Sequence, residues 1–544
     1  MFESPSAKKF LQALHPAYKP PSRKTISGPL LDKIYEMTKV RTEELIFNLP
    51  NINIVTDESN SITGARICNI SVHTPSGTIH YISEDIQAKQ MNDVAAAQWL
   101  RSHLLVLTND DLSRINSIVT DTCKTMFAMW TEMQTFIDFK HVLFIPCDSH
   151  GLQLLVKDLL KIPTFKTIID KAQAVVRAFR SSLLQYARLR QFQLQYYKQH
   201  RSLVLSVITR WGTHYRLIRS LLDSKDALKR YAHEYGDLPA TKRLKTEVIN
   251  ILKDREFWSS LESLREVLQP LDEALKMSES GNSHLGHVLP RWMAIAEHLK
   301  MRRMDYYDEL DPFMSIDGDD SNSFSHRYKR QILPIHIAAY YLTPENRTKP
   351  TPEHFESQLL SFFRKSTSST ADYETLCYEF ESFRAQSAPF EYGRRCWTLS
   401  KTPRLFWHSA MSQSTIIGKL AYRLLSTPCN SVASERAFSI QNLIHTKSRN
   451  RLKSATTDKL TYIYTNGRML DQFEGLFQPS SLPSIKAKSF HDLTLEDELA
   501  LENDLLGIDL EDESIEKDNN ENLGENNDEE TCSEDEDEDE NDQD

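Results

Sequence analysis

Between Asn51 and Ile145 the apolar residues of this chain change period, from two to 3.6 and back, and that alternation restricts the fold more than any other feature. Ile52, Ile54 and Val55 run into Asp57 as a short strand. Cys68, Ile70 and Val72 alternate with Asn69, Ser71 and His73, and after a T-P-S-G turn at 74–77 a third strand covers 78–82. A helix through Val94, Trp99, Leu100 and Leu104 follows, then a strand over 115–120 ending at Asp121, a helix with Met126, Met129 and Trp130, and a strand over 142–145. The order is β-β-β-α-β-α-β, three antiparallel strands first, and it sets Asp57 and Asp121 at the ends of the first and fourth strands. Past His150 the period stays helical, over 152–160, 172–197, 213–228, 261–277, 289–301 and 332–341.

A second informative stretch runs from Ser426 to Leu452 and reads S-T-P-C-N-S-V-A-S-E-R-A-F-S-I-Q-N-L-I-H-T-K-S-R-N-R-L. The Thr-Pro break allows a new helix to start, with Asn430 or Ser431 accepting its first free N–H groups. Ala433, Ala437, Ile440 and Ile444 form an apolar stripe, which projects Glu435 from the opposite side, held out of the packing. Lys447, Arg449, Arg451 and Lys453 then make a basic knot dense enough to meet phosphates.

The run S-V-A-S-E-R-A-F-S followed by K-S-R-N-R-L resembles the C-terminal signature of the hAT superfamily of DNA transposases and their domesticated relatives. The resemblance implies an α/β fold: a ribonuclease H-like mixed sheet interrupted by a large all-α insertion, then C-terminal helices and a disordered acidic tail. It implies a linker or helical segment over 1–48, the first part of the core over 49–164, the insertion over 165–397, a dimerisation region completing the core over 398–477, and linker plus tail over 478–544. In such a sheet the first and fourth strands are neighbours, so Asp57 and Asp121 converge, and Glu435 becomes the third member of a catalytic and metal-binding DDE triad. Two divalent ions, Mg²⁺ or Mn²⁺, suit hard carboxylate ligands and phosphodiester cleavage. Cys147 and His150 resemble the family's C-x-x-H element beside the active site. Arg210 and Trp211 resemble its Arg-Trp element, with Trp211 stacking on an unpaired base and Arg210 on phosphate. The implied partners are DNA and a second copy of the chain, in the nucleus. The segment from Met1 to about Glu44 resembles the link from a BED-type zinc finger to the core; the finger is missing, or the sequence begins downstream of it. Glu58, Ser59 and Asn60 stand where the family commonly has Gly-Trp-Ser, which counts against full activity.

Plainer readings accompany each residue. Asp57 begins a polar turn, Asp121 caps the next helix, Glu435 is an exposed helix residue, and Cys147, His150 and Trp211 are packing residues. The basic and aromatic residues of 177–201 are then the solvated face of an ordinary helix. Asp311 to Ser325 reads as a flexible loop, since Asn322 and Tyr328 stand where a calcium loop needs Gly and Glu.

Composition adds limits. No apolar run approaches a bilayer span, and seven scattered cysteines without a C-x-x-C pair point to a reducing compartment with no structural zinc. The net charge of -11 conceals an asymmetry: residues 491–544 hold 26 Asp and Glu against one Lys, or -25, which leaves +14 on the remainder. Such a tail is solvated and disordered, serving solubility alone or mimicking DNA on the basic surface. Three functions stay open: a transposase, a domesticated factor that dimerises and binds DNA or chromatin without catalysis, and a cellular nuclease with the same core.

Overall fold

The computed structural model describes residues 4–17, 19–60, 64, 66–74, 77–86, 92–206, 212–239, 242–280, 283–302, 307–314, 323–412, 416–446 and 452–473. Five strands, β1 (Ile52–Asn60), β2 (Arg66–Thr74), β3 (Gly77–Asp85), β4 (Ile115–Thr120) and β5 (Leu143–Pro146), form one mixed sheet in the order β3-β2-β1-β4-β5. β1, β2 and β3 pair antiparallel, while β1–β4 and β4–β5 are parallel. Parallel neighbours need long crossovers, and the helices Asp93–Thr108 and Lys124–Thr135 supply them.

Alternation gives the sheet two apolar faces. Ile54, Ile70, Ile118 and Phe144 pack with Leu100, Leu104, Met129 and Met133 of the crossover helices. Val55, Val119 and Ile145 join the other face to a core that continues without a break through the helical region as far as Cys429. Residue 165 onward is therefore not a separately cored body. Two buried ion pairs fasten it to the helix Asp148–Leu159: Asp148 meets Arg291 and also accepts from Trp292 Nε1 at 2.8 Å, and Asp158 meets Arg327 at 2.5 Å.

Several expectations need correction. β1 does not end at Asp57; it continues to Asn60, because Glu58 forms a two-pronged ion pair with Arg66 across the ladder, one prong at 2.9 Å. The helix expected over 172–197 is two, Pro163–Arg180 and Leu183–Tyr197, since Ser182 caps the second by accepting from Gln185 N at 3.4 Å. The span 213–228 is likewise split at Ser224. Asp311 to Met314 belongs to a helix, Tyr307–Met314, rather than to a loop. Pro75 and Ser76 of the expected turn, and the linker and tail from 474, lie outside the described residues.

The helix Leu31–Phe47 packs against the last described helix. On the last helix, Ser454–Phe473, Tyr462 hydroxyl bonds Thr42 Oγ1 at 2.5 Å and Lys459 pairs with Asp32 at 2.6 Å, both on the helix Leu31–Phe47. Asn466 accepts from His80 N and donates to His80 O, each at 2.8 Å, so one side-chain amide pairs the edge strand β3 as a neighbouring strand would. Among the described residues no helix is long and apolar enough to cross a membrane.

Candidate functional site at the edge of the parallel strands

Strand register places the first three residues. Val55, Val119 and Ile145 are partners across β1, β4 and β5 and share a face. Asp57, Asp121 and Cys147 each lie two positions further on, so by the two-residue period they form the next row on that face, with neighbouring strands about 4.8 Å apart. The row is kept in line past the strand ends by Cys147 N, which donates to Thr120 O at 2.8 Å.

The fourth residue arrives on the helix Val432–Ile444. Ser434 fixes this helix on the sheet: its Oγ donates to Val55 O at 3.3 Å, and its carbonyl accepts from Asn69 Nδ2 at 3.0 Å. Of the two expected caps, Asn430 accepts from Val432 N at 3.1 Å. Ser431 turns inward instead, giving its N–H and Oγ to Cys147 Sγ, both at 3.2 Å, and lying 3.4 Å from Glu435 Oε1. The buried face comprises Val432, Ser434, Ala437, Phe438 and Gln441, whereas Ile440 and Ile444 are only half-buried. Glu435 is consequently not held out in solvent. It is half-buried and directed at the strand ends, because small and polar residues, not the aliphatic stripe, meet the sheet.

Electrostatics tie the carboxylates together. Burial, then the charge of Asp121, pushes Asp57 well above the usual carboxylate range; only the Glu58 N–H, 2.9 Å from Oδ1, pulls it back. Burial, then Asp57, then Glu279 raises Glu435 in the same way, against weaker lowering by Ser431 and Arg436. No Lys or Arg stands among the groups acting on Asp57. Asp121 does not cap the following helix, whose N-cap is Cys123; its Oδ1 accepts from Cys123 N at 3.2 Å in a tight turn. Glu279, the last residue of the helix Arg255–Glu279, was not singled out from sequence, and nothing in M-S-E-S marks it.

Cys147 is fully buried and its sulfur accepts from Ser431 N, from Ser431 Oγ, and from His150 N at 3.4 Å. Burial, then Glu435, pushes its thiol up. The expectation that Cys147 touches DNA is thus corrected: the sulfur positions the start of the Glu435 helix. His150 is half-exposed on the first turn of its helix. Lys453 is exposed just ahead of the last helix, while Arg210, Trp211, Lys447, Arg449 and Arg451 lie outside the described residues.

Hard oxygens that repel one another suit a divalent cation in kind. In placement the fit is incomplete, for among the described residues no three His, Cys, Asp or Glu side chains already stand where they could hold one ion.

Comparison with known families gives three matches in chain order. Residues 21–175 match a domain of unknown function, DUF659; residues 145–253 match the ZBED1 RNase-like helical domain; and residues 396–466 match the hAT family C-terminal dimerisation region. No curated protein matches the chain.

Proposed function

This chain is an hAT-family transposase-like protein, and from that premise we propose that it binds DNA in the nucleus as a self-associating protein and cleaves and transfers strands through Asp57, Asp121 and Glu435. Its region 396–466 supports self-association directly. The observation that carries the catalytic reading is a chain of like charges at the strand ends: Asp121 raises Asp57, and Asp57 with Glu279 raises Glu435, against only weak lowering of Glu435 by Ser431 and Arg436.

In this reading Asp57 on β1 and Asp121 just past the end of the adjacent parallel strand β4 provide two carboxylates, and Glu435 closes the site from the helix. Mg²⁺ or Mn²⁺, when bound, activates the attacking oxygen and stabilises the leaving one. Ser431 orients Glu435, and Cys147 orients Ser431. His150 and the exposed Lys453 meet phosphate, joined by Lys447, Arg449 and Arg451; Arg210 and Trp211 hold a phosphate and an unstacked base.

The second reading is a domesticated, non-catalytic dimerising factor on DNA or chromatin. It is favoured by the incomplete cation fit and by Glu58, which is engaged with Arg66 rather than replaced by the family's Gly-Trp-Ser. One assay separates them: nicking of end-labelled duplex DNA in Mn²⁺. The catalytic reading expects Asp121→Ala to lower nicking by roughly a hundredfold or more, as loss of a ligand to a charge-stabilising metal should. Equal products from both proteins leave only the second reading.

A further inference from the structure

Between Asp170 and Asp223 the chain contains no acidic residue, yet its 52 intervening positions hold ten Lys and Arg. The helix Leu183–Tyr197 and the second half of the helix Pro163–Arg180 fall in this stretch. Four of these cations meet aromatic rings or a neutral amide. Arg188, Arg190 and Arg201 stack on Tyr235, Tyr186 and Tyr197 at 4.5, 4.8 and 3.7 Å, and Arg177 donates to the neutral Gln173 Oε1 at 2.8 Å. Among the described residues none of these four is paired with a carboxylate. Nearby acids are already engaged, Asp223 with Arg219 at 3.5 Å and Glu234 with Arg230 at 2.9 Å.

The outer face of Leu183–Tyr197 is apolar as well as basic. Leu183, Ala187, Arg190 and Leu194 follow one another at i, i+4, i+7 and i+11, a single helical stripe. Leu183 is 76% exposed, Leu184 57% and Leu194 44%. A phosphate backbone offers such leucines nothing, so the partner they fit carries aliphatic side chains among carboxylates.

The same chain contains that partner. Residues 492–510, D-L-T-L-E-D-E-L-A-L-E-N-D-L-L-G-I-D-L, hold seven acids, no base, and eight Leu or Ile. Leu495, Leu499 and Leu506 recur at i, i+4 and i+11, the spacing of Leu183, Ala187 and Leu194. The 18 residues 474–491 that tether it to Phe473 span about 60 Å when extended, which matches the roughly 60 Å breadth of a compact body of this size. We propose that the acidic, leucine-rich segment 492–510 docks in cis on the Leu183–Leu194 face, its leucines on the exposed leucines and its carboxylates on Arg177, Arg188, Arg190 and Lys198. The charge complementarity steers it, and the apolar stripe gives it register. The proposal is independent of cation binding and of strand cleavage.

Zero-length carbodiimide cross-linking of the full chain, read by mass spectrometry, tests it. Lys198 and Lys242 flank the face, Lys242 O being bonded by Arg188 at 2.7 Å. Links from the carboxylates of 492–510 should concentrate on these two lysines within single molecules, in a mixture of isotopically light and heavy protein. Either leucine set changed to serine, Leu495, Leu499 and Leu506 in the tail or Leu183 and Leu194 on the face, should lower their yield by about tenfold or more, since each buried leucine contributes at least that much. The face variants alter exposed residues and the tail variants leave the body untouched. Links spread evenly over exposed lysines, links indifferent to the leucines, or links between light and heavy copies would overturn the proposal. So would short duplex DNA shielding Lys198 and Lys242 equally in wild type and leucine variants while no tail links form, which would make the face a nucleic-acid surface.

Discussion

Asp148 and Asp158 are buried against arginines from distant helices, whereas Asp57 and Glu435, half-buried at the strand ends, face other carboxyls: Asp121 raises Asp57, and Asp57 raises Glu435. The first pair is answered by cations: Arg291, with Trp292, engages Asp148, and Arg327 with Lys161 engages Asp158. The second receives amide and hydroxyl donors and more negative charge. Burial of a charge is costly in either place. What separates the two is whether an arginine is in direct contact: it is for Asp148 and Asp158, whereas no cation is among the groups acting on Asp57 and Arg436 lowers Glu435 only weakly. Where it is, the charge holds the helical region to the sheet; where it is not, the carboxyls are raised by burial and by neighbouring acids.

The largest effect that could break this contrast is Arg291→Ala, which leaves Asp148 buried without its partner and should cost about 3–5 kcal/mol in denaturant unfolding. A neutral result would mean that the two carboxylate sets do not differ in kind. Next, Asp57→Asn should raise the melting temperature by about 2 °C or more in metal-free buffer, since it removes a repelled charge while keeping shape. A loss of stability would show that Asp57 is structural after all. Ser431→Ala removes the hydroxyl shared between Cys147 and Glu435 and should cost about 1 kcal/mol, leaving the fold intact while loosening Glu435.

The smallest effect concerns an intermediate case. Asp458, on the last helix, is pushed up to about 6 by burial, then by Asp85, against lowering by the Ser454 hydroxyl and His445. Its proton is bound more tightly in the folded than in the unfolded chain, so its charge opposes folding above pH 6 and that opposition is relieved as pH falls toward 4. Asp458→Asn should flatten this part of the melting temperature's pH profile by comparison with wild type.

The sheet was legible because strand order is written in local periodicity, and β4 and the two crossover helices fall where the alternation places them. What escaped was set at long range. β1 outruns Asp57 because Arg66, on the next strand, is there to pair Glu58. The Glu435 helix turns differently from its aliphatic stripe because Ser434 finds backbone partners on β1 and β2, which a helical wheel cannot anticipate. For the candidate site, the approach of Asp57 to Asp121 and of Glu435 to Asp57 was legible through the strand order and the signature, while Glu279 and the Ser431–Cys147 contact depended on residues more than a hundred positions away.

The most direct test of the contrast is a Mn²⁺ titration followed by electron paramagnetic resonance on wild type, Asp57→Asn, Asp121→Asn, Glu435→Gln and, as the answered control, Asp158→Asn. The expected result is that free Mn²⁺ signal is depleted by wild type and by folded Asp158→Asn, and that depletion falls in each of the three site variants. Undiminished binding in Asp57→Asn, or none in wild type, would contradict a cation site at the edge of the parallel strands.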